Sequence, residues 1–248
     1  MTGQATLCTA SASRAPTLAL AVSLGLSLAS MAVVVGAGVG ARRGAWDFLA
    51  GLRAAEWAVW GAALGVGLAL FGLAMRRRTR SAWVTGLLAI AIGAPVVVAG
   101  VQWKLAERIY PPINDISTDT ADAPVFWDMP TPTDYPGRQV AELQRAAYPD
   151  LVPLELTLPP AQAFDRALGL VRARGWTVVA SVPEEGRIEA TVESRLYGFV
   201  DELAIRVKAS PAGSVVDVRS RSRLGRIDRG VNARRIRVLL ADLRGSGR

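Results

Sequence analysis

Arginine recurs at regular spacing near the end of this sequence. In the run VDVRSRSR, Arg219, Arg221 and Arg223 alternate with smaller residues. In a β-strand this spacing puts three guanidinium groups on one face. Guanidinium groups bind phosphate or carboxylate with two parallel hydrogen bonds, so the pattern indicates a site for an anionic group. It also fits a cross-strand ladder of ion pairs, which we favour because the domain is close to neutral. The acids that could form this ladder are Glu189, Glu193, Glu202 and Asp217.

A glycine-containing loop follows the arginine strand and leads into the last predicted helix. Gly225 and Gly230 permit turns that aim backbone amides outward, and a helix N-terminus adds partial positive charge. With Arg229 and Asn232, this loop would extend the anion site. The alternative, which we favour, is a structural turn in which Asp228 and Asn232 cap the helix and the glycines take left-handed conformations.

Two carboxylates, Asp119 and Asp201, are the candidates for acid–base work, and they also enter the proposed ligand site. A pair of carboxylates in one cleft can divide the acid and base roles between them. No sequence spacing brings these two together, and Asp201 fits a simple pair with an arginine. The oxygen-rich run 114–119 lacks the spacing of a calcium loop and favours a self-capping turn that docks the preceding segment. We therefore assign no catalytic and no metal-binding residue.

Composition excludes several function classes. The chain has no histidine and one cysteine, Cys8, which excludes Ser-His-Asp and Cys-His catalysis, common zinc sites and an intrachain disulfide. We predict no cofactor and no disulfide-linked partner. The net charge is +8, but residues 101–248 carry only +2 of it, so no folded domain has the charge excess of a nucleic-acid-binding protein.

Three apolar runs predict membrane-spanning helices over about residues 16–40, 57–75 and 82–101. Each is long enough to cross a hydrocarbon core of roughly 30 Å. A cleaved signal peptide is the alternative for the first run, but its apolar stretch is longer than such peptides need. We assign residues 1–105 to a membrane domain. Small residues four apart, such as Gly61 and Gly65, predict close packing among the three helices.

The short loop RRRTR, residues 76–80, decides the predicted topology. Dense basic loops stay in the cytoplasm, so the N-terminus would be cytoplasmic and residues 102–248 extracytoplasmic. Over all loops and ends, the basic residues divide evenly between the two sides of the membrane. We base the orientation on the dense loop because it is short and lies directly at two helix ends. We expect a multi-pass protein of the inner cell membrane, with the lipid bilayer as its first partner.

Residues 106–150 are rich in proline and aspartate and predict an extended linker, with a short helix as an option over residues 139–147. Residues 151–248 predict a compact, exported α+β domain with an antiparallel sheet and two helices on one face, in the order β-α-β-β-β-β-α. The predicted strands are 152–158, 176–182, 187–193, 199–209 and 214–223. The helices start near Pro160 and Asn232. One sheet face would be apolar and covered by the helices, and the other charged and wet.

Three stretches resemble a bacterial family catalogued as domain of unknown function 1499. They are residues 111–119 (PPINDISTD), 187–191 with 198–202 (RIEAT and GFVDE), and 216–236 (VDVRSRSRLGRIDRGVNARRI). The resemblance spans roughly residues 108–243 and departs at Glu202, where it implies a second aspartate. It implies attachment to the membrane by N-terminal helices, and it implies no activity, substrate or catalytic residue.

Three hypotheses follow for function. The leading one is a non-catalytic module whose exported domain binds an envelope protein or an anionic ligand, such as a small molecule or a lipid head group. The second is an envelope hydrolase that uses Asp119 and Asp201. The third is a structural subunit of a membrane complex, held through the small-residue faces of its helices.

Overall fold

A computed structural model describes residues 15–75, 79–130 and 134–245, with side chains from residue 18 onward. Cys8 and most of the basic loop, residues 76–78, lie outside the described residues. The chain divides into two compact units, residues 1–105 with 196–198, and residues 106–195 with 199–248. Each unit is described below by itself.

The first unit contains three helices, each long and apolar enough to cross a membrane. They are α1 (Ala15–Arg42), α2 (Phe48–Met75) and α3 (Arg80–Ile109, whose last turn belongs to the second unit). The prediction of three long apolar helices is thereby confirmed, although α2 begins nine residues earlier than the apolar run suggested. The added residues carry two charges, and the carboxylate of Glu56 lies 2.9 Å from Nζ of Lys104 on α3.

Small residues allow the three helices to pack closely. The buried residues of α2 are all alanine or glycine. A Cβ atom added to Gly65 would lie 2.9 Å from Oγ of Ser27 on α1, and one added to Gly93 of α3 would lie 2.7 Å from the same oxygen. Both contacts are shorter than a side chain tolerates. The small-residue spacing in the sequence therefore serves contacts inside this chain, and large apolar side chains such as Trp57 and Phe71 face outward.

The second unit is an α+β domain built on an antiparallel sheet. Its strands are β1 (Asp115–Ser117), β2 (Leu154–Leu156), β3 (Thr177–Val182), β4 (Arg187–Glu193), β5 (Val200–Ser210) and β6 (Gly213–Ser222). Its other helices are α4 (Arg138–Ala147), α5 (Pro160–Ala173) and α6 (Val231–Gly245). The sheet order is β1-β6-β5-β4-β3, and β2 pairs with β6 alongside β1. The predicted fold class and the order β-α-β-β-β-β-α are confirmed. Strand β1 and helix α4 come from the stretch for which the sequence predicts a linker.

One face of the sheet is apolar and covered by α5 and α6. Alternate strand residues such as Leu203, Ile205 and Val218 are fully buried on this face. The helices contribute the residues that their spacing predicts, which are Phe164, Ala167, Leu168 and Val171 from α5 and Ile236, Leu239, Leu240 and Leu243 from α6.

The opposite face of the sheet is charged but not wet, and the prediction of a solvated face is wrong. Residues 118–130, which we call the strap, cross this face without forming a helix or strand. Phe126 and Met129 of the strap bury a small second core with Ala204 of β5. The side chain of Gln144 on α4 closes the edge of β1, because its amide bonds both the N–H and the C=O of Ser117. A proline- and aspartate-rich segment covers the face because the face itself offers charges to pair with.

Candidate functional site

Arg219 lies at the centre of the strap-covered face, where the sequence predicts an exposed ligand contact. Its side chain is 1% exposed. Its Nε and Nη2 bond the two oxygens of Asp115 at 2.9 and 2.7 Å, and its other donors reach the backbone carbonyls of Pro124 and Asp134. The guanidinium also lies 4.8 Å from the ring centroid of Phe126. Arg219 therefore holds β1, β6 and the strap together, and this structure offers no exposed guanidinium there for a ligand.

Arg221 and Arg223 share one buried carboxylate. Arg221 lies opposite Glu202 in the pairing of β5 with β6. One oxygen of Glu202 accepts from Arg221 at 2.7 Å and the other from Arg223 at 2.6 Å. Glu202 occupies the position where the resemblance implies aspartate, and its longer side chain bridges the two arginines. Of the three arginines in this strand pattern, Arg223 has the most exposed side chain, at 31%.

A further pair on this face belongs to the cross-strand ladder that the sequence favours. Arg206 lies opposite Asp217 and donates to it at 2.8 Å. Burial raises the pKa of Asp217 above its usual range even though Arg206 opposes the shift. The strap joins this ladder through its backbone, because the N–H groups of Trp127 and Asp128 donate to the fully buried carboxylate of Glu189. An irregular segment can cross the sheet because such bonds satisfy its backbone.

The loop before α6 is the structural turn that we favoured. Gly225 and Gly230 have φ angles of 90° and 75°. Asp228 caps the helix by accepting from the N–H groups of Gly230 and Asn232 at 2.9 and 2.7 Å. Burial raises the pKa of Asp228, and these two N–H groups oppose the shift. Arg229 has a left-handed φ of 53° and donates to Glu107 at 2.7 Å.

Asn232 is not the helix cap, although the sequence suggests it as one. Its side-chain amide donates to the carbonyl of Asn114 at 3.0 Å and to Oγ of Ser222 at 3.1 Å, and its oxygen accepts from Ser220 at 2.8 Å. The side chain is therefore a buried bridge between α6, β6 and the residue before β1. It has no exposed surface for a ligand in this structure.

Asp119 and Asp201 lie apart. Asp201 pairs with Arg235 of α6 at 2.5 Å on the helix face, as its alternative interpretation predicted. Asp119 belongs to the strap on the opposite face, where it accepts from the N–H groups of residues 121 and 122 in a self-capping turn and lies 3.9 Å from Arg206. Positions 201 and 206 are about 17 Å apart along β5 at the usual rise per residue. Two cooperating carboxyl groups need to lie within about 10 Å, so the structure gives the hydrolase hypothesis no support.

A groove on the helix face has features that the sequence analysis missed. It has a volume of about 270 Å³ and is lined by Arg174, Trp176, Val231, Arg234, Arg235 and Val238. None of these lining residues, all within the described part of the chain, is acidic. Arg174 lies over the Trp176 ring at 5.4 Å and pairs with Asp242. The signal in the sequence was the i, i+3, i+4, i+7 spacing of two valines and two arginines on the face of α6 that does not enter the core.

Among the described residues, no group of three or more Cys, Asp or Glu side chains could hold a metal ion. The arrangement defines an α+β domain with an internally neutralised arginine face, in a protein with three helices that could cross a membrane. A family model described as "Protein of unknown function (DUF1499)" matches residues 115–243, and the protein belongs to this family. The match begins at β1, ends in α6 and includes the whole strap. No curated protein and no solved structure matches the chain.

Proposed function

We propose that this protein is a non-catalytic membrane protein whose α+β domain binds an anionic ligand. One observation carries the proposal, which is the guanidinium of Arg234 in the groove. Its side chain is exposed, and among the described residues it has no polar partner within hydrogen-bond distance. The neighbouring Arg174 and Arg235 are already paired with carboxylates. The groove therefore has one unsatisfied positive charge, which attracts an anion.

The ligand candidates are an anionic small molecule, a lipid head group, or an acidic group of an envelope protein. The arginines that the sequence emphasised, Arg219, Arg221 and Arg223, are bonded to buried carboxylates of the domain, so the binding role passes to the helix face. This assignment keeps the predicted ligand chemistry and changes the residues that perform it.

We place the protein in the inner cell membrane with its N-terminus in the cytoplasm and its α+β domain outside. The dense basic run at residues 76–80 supports this orientation. A variant with Cys8→Ser and Ser246→Cys carries one thiol, which a membrane-impermeant maleimide would label in intact cells or spheroplasts. Labelling only after permeabilisation would put the domain in the cytoplasm and contradict the orientation.

Amide hydrogen exchange of the full chain in phosphatidylcholine nanodiscs tests binding. Inorganic phosphate, acetate and octanoate are added one at a time, and peptides covering residues 174–176 and 231–238 are followed. We expect at least one anion to slow exchange in both peptides, an effect lost in Arg234→Glu and kept in Arg244→Glu. Arg244 is an exposed arginine of the same helix outside the groove, so it controls for charge alone. If no anion slows exchange in either peptide, the proposal is wrong.

A further inference from the structure

We infer that the groove on α6 binds a single-chain anionic amphiphile, an alkyl chain that ends in one negatively charged group. The inference rests on the proposed function and adds the apolar half of the ligand. It follows from three properties of the groove, which are its apolar floor, its single unsatisfied charge and its size.

The apolar half of the groove is an exposed stripe of helix α6. Val231 and Val238 are 44% and 49% exposed, although both lie on a helix whose other apolar residues are largely buried. They are seven residues apart and therefore on one side of the helix, about 10 Å from each other. Trp176 stands beside them and is only partly buried. Two valines and an indole form a surface that gains free energy when an alkyl chain displaces water from it.

The charges around this floor favour a single negative charge. Arg235 is held by Asp201, with side chains only 9% and 14% exposed, and Arg174 by Asp242. The charges of both arginines are therefore already balanced. Arg234 supplies the one positive charge without a partner among the described residues. A carboxylate at Arg234 would complete the charge balance, whereas a polyanion would bring more negative charge than the groove can neutralise.

The groove has room for a chain of about the length of an octanoyl group. A volume of 270 Å³ corresponds to roughly nine water molecules, and one methylene group occupies about the same volume as one water molecule. Full burial of a methylene raises affinity about fourfold. Because the groove is open to solvent on one side, we expect a gain of roughly two- to threefold per methylene.

A chain-length series tests the inference with the full chain in phosphatidylcholine nanodiscs. Acetate, butanoate, hexanoate and octanoate are titrated against exchange at residues 174–176 and 231–238. Octyltrimethylammonium serves as a cation with the same alkyl chain. We expect the affinity to rise with every step to octanoate and the cation to give no protection. Arg234→Glu should weaken octanoate binding by roughly tenfold to a hundredfold. Val238→Asp should abolish the chain-length dependence, and Arg244→Glu should behave as wild type.

The outcomes separate this inference from the proposed function. If phosphate or acetate protects the groove as strongly as octanoate, the domain binds anions and the amphiphile inference is wrong. If octyltrimethylammonium protects it equally well, the groove recognises the chain without its charge, and both the inference and the role of Arg234 fail. Protection that octanoate gives equally in wild type and in Arg234→Glu would overturn both proposals as well.

Discussion

Replacement of Arg219 by methionine tests whether the buried ion pair holds the strap on the sheet. Methionine keeps much of the side-chain length and removes the charge and all donors. The partner carboxylate of Asp115 is 3% exposed and would remain buried without its counter-ion. The carbonyls of Pro124 and Asp134 would each lose a donor.

The structure sets the expected size of this effect. Breaking a buried ion pair by removing one partner costs about 3–5 kcal/mol, because the other charge stays desolvated. The two carbonyls add roughly 1 kcal/mol each. Removing both charges avoids the uncompensated carboxylate, so Arg219→Met with Asp115→Leu should recover at least about 2 kcal/mol relative to Arg219→Met.

Hydrogen exchange of the full chain in nanodiscs measures this cost in the slowest amides of β5 and β6. Even a loss of about 3 kcal/mol, the lower end of the cost of the ion pair alone, raises their exchange rates roughly a hundredfold, because each 1.4 kcal/mol corresponds to a factor of ten. Lys208→Met is the matched control, because Lys208 pairs with Asp122 of the strap on the same face but is half exposed. We expect it to cost less than about 1 kcal/mol. An Arg219→Met variant no less stable than Lys208→Met, or a double variant less stable than Arg219→Met, would refute the reasoning.

Three further predictions concern pH, a turn and the helix bundle. Because burial raises the pKa of Asp228 above the ordinary 3.8, its stabilising contribution is largest below that value and is lost as pH rises through the folded-state pKa. The unfolding free energy of wild type minus that of Asp228→Asn should therefore fall as the pH rises above about 4, and a rising difference in urea titrations would contradict this. Gly213→Ala should cost at least about 2 kcal/mol in the same titrations, because φ is 140° and the new Cβ would lie 2.5 Å from a backbone oxygen. Gly169 lies at an exposed position of helix α5, so Gly169→Ala should instead raise the unfolding free energy by about 0.5–1 kcal/mol. Gly65→Val should lower the SDS fraction at which the bundle unfolds, since its Cβ meets a serine oxygen of α1 at 2.9 Å, whereas Gly67→Val, with nothing within 4 Å, should not.

The sequence predicts the long N-terminal helices and the elements of residues 151–248 well, because these elements show local apolar patterns. Helices α5 and α6 follow their apolar spacing, and β4 has the predicted bounds of 187 and 193. The hairpin between β5 and β6 follows from the short turn at residues 211–213. These features depend on neighbours in the sequence, and a single chain suffices to find them.

The strap was missed because its stability depends on a distant surface. Residues 118–130 have no apolar period, and proline and aspartate usually mark a linker. The segment stays in place because Asp122, Phe126 and its backbone amides meet Lys208, Arg219 and Glu189, which lie about 60 to 95 residues further along the chain. Complementary charge was visible in the sequence, as three aspartates in the strap and alternating arginines on a strand. The pairing of Arg219 with Asp115, 104 residues earlier in the chain, was not visible.

This burial changes which arginines can have a binding role. A guanidinium that holds a buried carboxylate in two parallel bonds has few donors left, and exposing it would mean lifting the strap at a cost of several kcal/mol. A ligand would have to supply that free energy before it gained any contact. Arg234 requires no such rearrangement, because its side chain is exposed and no described residue pairs with it. On energetic grounds we therefore expect an anion to bind first at the groove on α6, while the regular arginine strand that dominates the sequence supports the fold of the domain.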